Sequence, residues 1–353
     1  MKKLLFFLAT SLFAQCPIDC AYLPASNYLK NSAMYVSFDF LFWEGTERGL
    51  EFASKNAKSF FDQDVQIYEP AFGFHPAFRL GVGYHLPHDN WDVDLIYTFY
   101  YCHNTNYAHH NFGGNPNGGI RSIWTSSTAF QRTNFRVLWQ NSEAKWKLHA
   151  NLFDLYLKHR LCLSSAVTIE PAFGIKFALL QQGYKVVYEN GNTASNLQGT
   201  ALIQFLSSSI SMKNRSLNVG PTASIMTRWN LSQCFDLLGS LSSSLLSSRF
   251  SVGRNEWDVS LNPTIKFDSV RESTTYWIFR PQAAALFGLS WNNCICQSNS
   301  VIYYGFSASY ETQVYWKQNM LYRFIDQTNP AMIAPTQGDL FFHGLTLDAF
   351  IDF

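Results

Sequence analysis

Three sets of side chains in this sequence have the types and spacing that chemistry needs. Six of the nine histidines fall within 75–110, and "CHNTNYAHH" gathers His103, His109 and His110, imidazoles of the kind that hold zinc, nickel or copper. Their spacing matches no established ligand pattern, so no metal and no cofactor is assigned. The serines of "SSSLLSS" (242–248) offer hydroxyls for nucleophilic attack, as in a lipid hydrolase built on the outer wall of a barrel. The neighbouring spans hold no histidine to act as base, and no catalytic residue is assigned. The third set is the most regular: charges that recur at every second place between large apolar residues.

The elements that carry those charges are strands. In "FRLGVGYHLPHDNWDVDLIYTFYYC" (78–102), Phe78, Leu80, Val82, Tyr84 and Leu86 share one face, with Arg79 and His85 on the other. After the break "PHDN", Trp91, Val93, Leu95, Tyr97, Phe99 and Tyr101 share a face, opposite Asp92, Asp94 and Thr98. Period two on both sides of a four-residue turn predicts an antiparallel hairpin with arms of about ten residues, the length of a tilted bilayer-spanning strand. A soluble sandwich would turn the apolar face to a core; an outer-membrane barrel turns it to lipid and the charges to an aqueous lumen.

Composition favours the barrel. The chain has 353 residues, 17% aromatic and only 14% charged, where ordinary globular domains carry about 25% charged residues. Past the start, no stretch reaches the roughly 18 uninterrupted apolar residues of a transmembrane helix. "MKKLLFFLATSLFAQ" reads as a signal peptide over 1–14, with two lysines, an apolar run and a small residue at Ala14. Residues 15–33 then form a periplasmic N-terminal segment, and 34–353 a single outer-membrane β-barrel domain. Net charge lies one unit to either side of zero with or without Lys2 and Lys3, which argues against nucleic acid or an anionic surface as a partner.

The same alternation recurs in "MYVSFDFLFW", "AVTIEPAFGIKFAL", "RPQAAALFGLSW" and "VIYYGFSASYETQVYW", more weakly over 146–160, 217–229 and 235–250, and helical periodicity is sustained nowhere. Short polar breaks at 87–90, 161–165, 230–234 and 292–299 alternate with long ones at 44–75, 103–144, 181–215, 251–275 and 317–338. Tight periplasmic turns and long external loops are the habit of outer-membrane barrels. The expectation is an all-β, transmembrane, antiparallel up-and-down β-barrel of at least ten strands. Trp91, Trp229 and Trp291 fall beside the turns, and Trp43, Trp146, Trp277 and Trp316 at the outer ends, where interfacial rings prefer to lie. Strict alternation turns Trp43 inward. The last strand, "LTLDAFIDF", ends on Phe353 in the manner of the signal read by the barrel insertion machinery, a partner together with outer-membrane lipid.

Several stretches carry a family resemblance: "YVSFDFLFWEGTERGLEFA" (35–53), the hairpin above, "WKLHANLFDLYLKHRLCLSSAVTIEPAFGIKFALLQQGYKV" (146–186) and "GPTASIMTRWNLSQCFDLLGSLSSSLL" (220–246). They resemble the major-outer-membrane-protein-like porins of Chlamydia-related bacteria and the related Legionella major outer membrane proteins. The resemblance implies a pore in the bacterial outer membrane for passive diffusion of small hydrophilic solutes or ions, without catalytic residues. The alternatives are a barrel lipid hydrolase and a hydrophobic-ligand transporter. The lumen-side charges expected are Arg79, His85, Asp92, Asp94, Lys147, His149, Glu170, Lys176, Arg228, Asp236, Glu311 and Asp348, whose mixed signs suit weak ion selectivity.

Seven cysteines in an oxidising compartment leave an odd thiol. Cys16 and Cys20 precede the first strand, and Cys162, Cys234, Cys294 and Cys296 fall in expected periplasmic turns, which makes these the disulfide candidates; Cys102 lies at the outer end of its strand. Chlamydial relatives rely on disulfide-linked envelope proteins, so the resemblance implies a structural envelope role through this rim, with bridges to envelope proteins or within a homo-oligomer.

Overall fold

The computed structural model describes residues 34–56, 65–87, 91–111, 119–125, 137–193, 205–232, 234–260, 266–297, 300–324 and 333–353. The expected signal peptide and the segment 15–33, with Cys16 and Cys20, lie outside them. Along the chain run β1 (Met34–Glu47), the short β2 (Ala53–Asn56) and β3 (Val65–Tyr68), β4 (Phe74–His85), β5 (Trp91–His109), the short β6 (Gly119–Ser122), β7 (Val137–His159), β8 (Leu161–Cys162) and β9 (Val167–Thr193). Then come β10 (Phe205–Asn230), β11 (Phe235–Ser260), β12 (Lys266–Gln297), β13 (Ser300–Asn319), the short β14 (Tyr322–Phe324) and β15 (Ile333–Pro335), and β16 (Gly338–Asp352).

The ten long strands pair antiparallel in chain order, and β1 pairs with β16 to close the ring. Closure is sealed at the chain end, where Met34 and Phe353 exchange backbone hydrogen bonds of 3.2 and 2.9 Å. A closed sheet leaves no strand edge, the only way a sheet satisfies its backbone in hydrocarbon. Alternation sets the faces: Phe38, Phe40, Phe42, Leu80, Val82, Leu95, Ile175, Phe287 and Leu347 are exposed outward, while Asp39, His85, Asp92, Asp94, Lys176 and Glu311 are buried inside. The opening hairpin is antiparallel as expected, and it pairs Phe78 with Phe99 and His85 with Asp92.

Strands run much further than their apolar spans. β9 to β12 hold 27, 26, 26 and 32 residues, against the roughly 9–11 that a bilayer crossing needs. The surplus lies at the end with the long connections, where outward positions turn polar and the apolar signal fades. At the opposite end the break expected at 292–299 is mostly strand, since β12 runs to Gln297.

The loop end of the barrel is packed rather than open. β2 pairs with β3 and β6, and Ile120 of β6 pairs with Trp139 of β7. This places Leu50, Phe52, Ile120 and Trp124 in one buried cluster with the wall residues Trp43, Tyr100, Trp139, Trp146, Tyr184 and Tyr188. Trp43 points inward as alternation requires. Trp146, expected at the outer interface, is also fully buried inside, because its strand keeps strict alternation with the outward Phe153 and Leu155. Gly344, opposite Trp43, has φ +155 and a backbone so close that an added Cβ would lie 2.2 Å from the Phe42 carbonyl oxygen. Only glycine fits there, and the Trp43 indole then donates to Thr346 Oγ1 at 3.2 Å.

Candidate functional site

The lumen is where chemistry-bearing side chains converge, and it is layered. Nearest the turn end, His85 on β4 holds Asp92 of β5 at 2.6 Å and Asp352 of β16 at 3.1 Å. Asp94 is paired with Lys158 of β7 and accepts a hydrogen bond from Tyr35 of β1. Arg160, just past β7, lies 3.0 Å from Glu170 of β9, with Arg228 of β10 at 3.9 Å on the same carboxylate. Asp236 accepts from Asn292 at 2.6 Å.

The middle layer is tied across the barrel. Arg79 on β4 reaches Asp39 of β1 at 3.0 Å and, past β16, Glu311 of β13 at 2.9 Å, while its Nε donates to Thr98 at 3.1 Å. Asp348 stands opposite Asp39 in the β1–β16 register. On the far wall Lys176 meets Asp154 at 2.7 Å. Each cation offsets the desolvation of its acid, which is what allows such charges inside a narrow ring.

One charge above this layer is not matched in that way. Arg280 of β12 is fully buried; it donates to Asn218 at 2.7 Å and to Ser248 at 2.9 Å, and lies 5.3 and 5.5 Å from the Phe250 and Tyr315 ring centres. Among the described residues no carboxylate comes within ion-pair distance of it, and its Nη1 has no hydrogen-bond partner. Beside it a polar chain crosses from wall to wall. Gln182 donates to Glu47 at 2.5 Å, and Asn214 donates to Gln182 at 2.7 Å and to the Gln318 carbonyl at 2.9 Å.

The aromatic cap closes the loop end. Tyr184 and Tyr188 of β9 donate to the carbonyls of Leu50 and Phe52, both at 2.5 Å, and Trp124 Nε1 donates to the Glu51 carbonyl at 2.8 Å. Arg323 stacks 4.5 Å over Trp124 and donates to the Gly49 carbonyl at 2.7 Å. The apolar plug comes from the chain that follows β1. Among the described residues, this conformation therefore has a polar, ion-paired lumen crossed by hydrogen bonds and capped by aromatics, not an open water-filled channel.

Ten of the twelve charges expected in the lumen do face it: Arg79, His85, Asp92, Asp94, Glu170, Lys176, Arg228, Asp236, Glu311 and Asp348. Lys147 and His149 are corrections, for both are exposed on the outer wall. β7 pairs with β5 without a register shift from His159 to Asn141, so residues of odd number face outward throughout, with Phe153 and Leu155. The same parity puts Asp154 and Lys158 inside, where sequence reasoning missed them. Asp39 and Arg280 stand inside, on the polar faces that alternation gives them, although neither is among the twelve expected lumen charges.

The cysteines divide. Cys234 is disulfide-bonded, whereas Cys102 and Cys294 are buried free thiols and Cys162 an exposed one. Cys162 sits on β8 opposite Thr168, and Cys294 on the end of β12, not in turns. The side chain of Cys296 lies outside those described.

Residues 29–353 match the family model of the Legionella pneumophila major outer membrane protein precursor. Among solved structures, the chain is similar to the outer membrane protease OmpT from Escherichia coli, with 10% identity over 92% of this chain and 97% of that one and a TM-score of 0.40. A major outer membrane protein from Thermus thermophilus shows 13% identity over 90% and 99%, with a TM-score of 0.26. A Pseudomonas aeruginosa FadL homologue shows 7% identity over 94% and 93%, with a TM-score of 0.28. No curated protein matches.

Proposed function

This chain belongs to the Legionella pneumophila major outer membrane protein family and resides in the bacterial outer membrane, and from that premise we propose that it is a narrow, gated, non-enzymatic pore for small hydrophilic solutes, with a preference for anions. The closed cap is its resting state, and displacement of the segment after β1 opens the lumen to the charged layers below.

The observation that carries this reading is Arg280. A buried guanidinium with no carboxylate within ion-pair distance among the described residues, Glu47 lying further off at the end of the polar chain, is costly in a barrel that serves only as a scaffold. In a pore the same group supplies a field that an anion completes, with Asn218, Ser248 and two ring faces holding it in place. A purely structural envelope role is the second reading, favoured by the wall-to-wall bonds and by the disulfide at Cys234.

Purified protein in planar bilayers under a salt gradient separates the two. A pore gives discrete conductance steps with a reversal potential on the anion side, and Arg280→Gln moves that potential toward zero. A wild-type protein that stays silent, and remains silent in a Tyr184→Phe/Tyr188→Phe variant with the cap loosened, would be a scaffold.

A further inference from the structure

The outer wall of β7, β9 and β10 carries a patch of cations that the lumen does not use. Lys147, His149, Lys185, Lys213 and Arg215 are exposed outward, while the residues between them, Leu148, Tyr184, Met212 and Asn214, are buried inside. Register assembles them around one point. Gly183 of β9 has Lys147 directly beside it on β7 and Lys213 directly beside it on β10. The next outward row toward the turn end is His149, Gln181 and Arg215; the next row the other way begins with Lys145 and Lys185 side by side.

Nothing lies within 4 Å of where a Gly183 Cβ would stand, so the centre of this ring is an open notch floored by backbone. Compensating acid is scarce. Glu143 is bonded to Lys145 at 2.7 Å, and Glu189 lies further out on β9. Lys147, Lys213 and Arg215 have no carboxylate partner among the described residues, and the like-charge pair of Lys145 and Lys185 shares the single carboxylate of Glu143.

Height on the wall decides what that anion is. Immediately toward the turn end the same outward face becomes apolar, with Phe153, Ile175, Leu217 and Val219 exposed, and Tyr101 packs 4.4 Å from the His149 ring at the boundary. The patch thus sits just beyond the hydrocarbon band at the end bearing the long connections, the level of the outer-leaflet headgroups. We propose that the wall around Gly183 is a binding site for the phosphate groups of an outer-leaflet glycolipid, whose acyl chains lie along the apolar band below. The site is independent of the pore reading, because it faces away from the lumen.

The test uses the full chain folded in detergent micelles, with folding confirmed by heat-dependent electrophoretic mobility. Diphosphorylated lipid A, the same glycolipid after phosphate removal, and inorganic phosphate are titrated separately, and retention is read by native mass spectrometry. The phosphorylated lipid is expected to bind and its dephosphorylated form to bind far more weakly. Lys147→Gln, Lys213→Gln and Arg215→Gln together should weaken retention roughly a hundredfold, at about a factor of five per cation. Arg48→Gln, which removes an exposed cation over Phe341 of β16 on the opposite side of the ring, should leave it unchanged. Gly183→Glu places a carboxylate in open space and must weaken binding too, which keeps the test decisive if the triple variant does not fold. Equal retention by wild type and variants overturns the proposal. So does binding of inorganic phosphate as tight as that of the lipid, which would make this a site for free anions.

Discussion

Arg79 and Glu311 join strands that are not neighbours: a single Nη2 lies 2.9 and 3.0 Å from the two carboxylate oxygens, across β1 and β16. Arg79→Ala leaves both Glu311 and Asp39 inside the barrel without their cation, and the expected loss of stability is about 3–5 kcal/mol. Arg79→Ala combined with Glu311→Ala should recover part of that loss. Urea unfolding of the four proteins in micelles forms a double-mutant cycle. Additive single effects would mean that the bridge contributes nothing.

Arginine at Leu95 or Phe287, both exposed on the lipid face, should cost about 2–4 kcal/mol near the membrane midplane. Arginine at Ser242 should cost less, because that residue faces the lumen next to Ser224 and Ala284. Thr98 and Gly288 are lumenal by alternation but are poor controls. Thr98 already accepts from Arg79, and a Cβ at Gly288 would meet the Ala308 carbonyl oxygen at 2.5 Å. Equal damage at lipid and lumen positions would refute the face assignment.

Tyr184→Phe and Tyr188→Phe each remove one hydrogen bond to the segment after β1, at roughly 1 kcal/mol apiece. The aromatic contacts stay, so the barrel should still fold. Limited trypsin digestion should cut the double variant faster at Arg48 or Lys55. An unchanged digestion rate would show that the two hydroxyls do not latch the cap.

Thiol reactivity should follow exposure. In the folded protein Cys162 is expected to react quickly with a maleimide, and Cys102 and Cys294 only after unfolding. Non-reducing electrophoresis of outer membranes, with thiols blocked at lysis, should show high-mass species that collapse on reduction if Cys162 bridges to another copy or to an envelope protein. Their absence would confine disulfide chemistry to Cys234 within the chain.

Much of the barrel was legible in the chain because lipid imposes one rule on every span. An outward residue must be apolar, so alternation around "FDFLF", "FRLGVGYH", "DVDLIYTF" and "LTLDAFIDF" fixed strand type and face, and ten of the charges then had to lie inside. The rule lapses where the strands leave the bilayer. Beyond it both faces are wet or packed, period two no longer sorts polar from apolar, and Lys147, His149 and Trp146 were each put on the wrong side although their strand never slips. The tertiary structure alone decided which charges meet across the ring, because Arg79 and Glu311, or Glu47 and Gln182, are distant in sequence and become neighbours only when the sheet closes. It alone showed that the segment after β1 folds back into the mouth, since Leu50 and Phe52 look like ordinary loop residues until the Tyr184 and Tyr188 hydroxyls on a distant strand take their carbonyls.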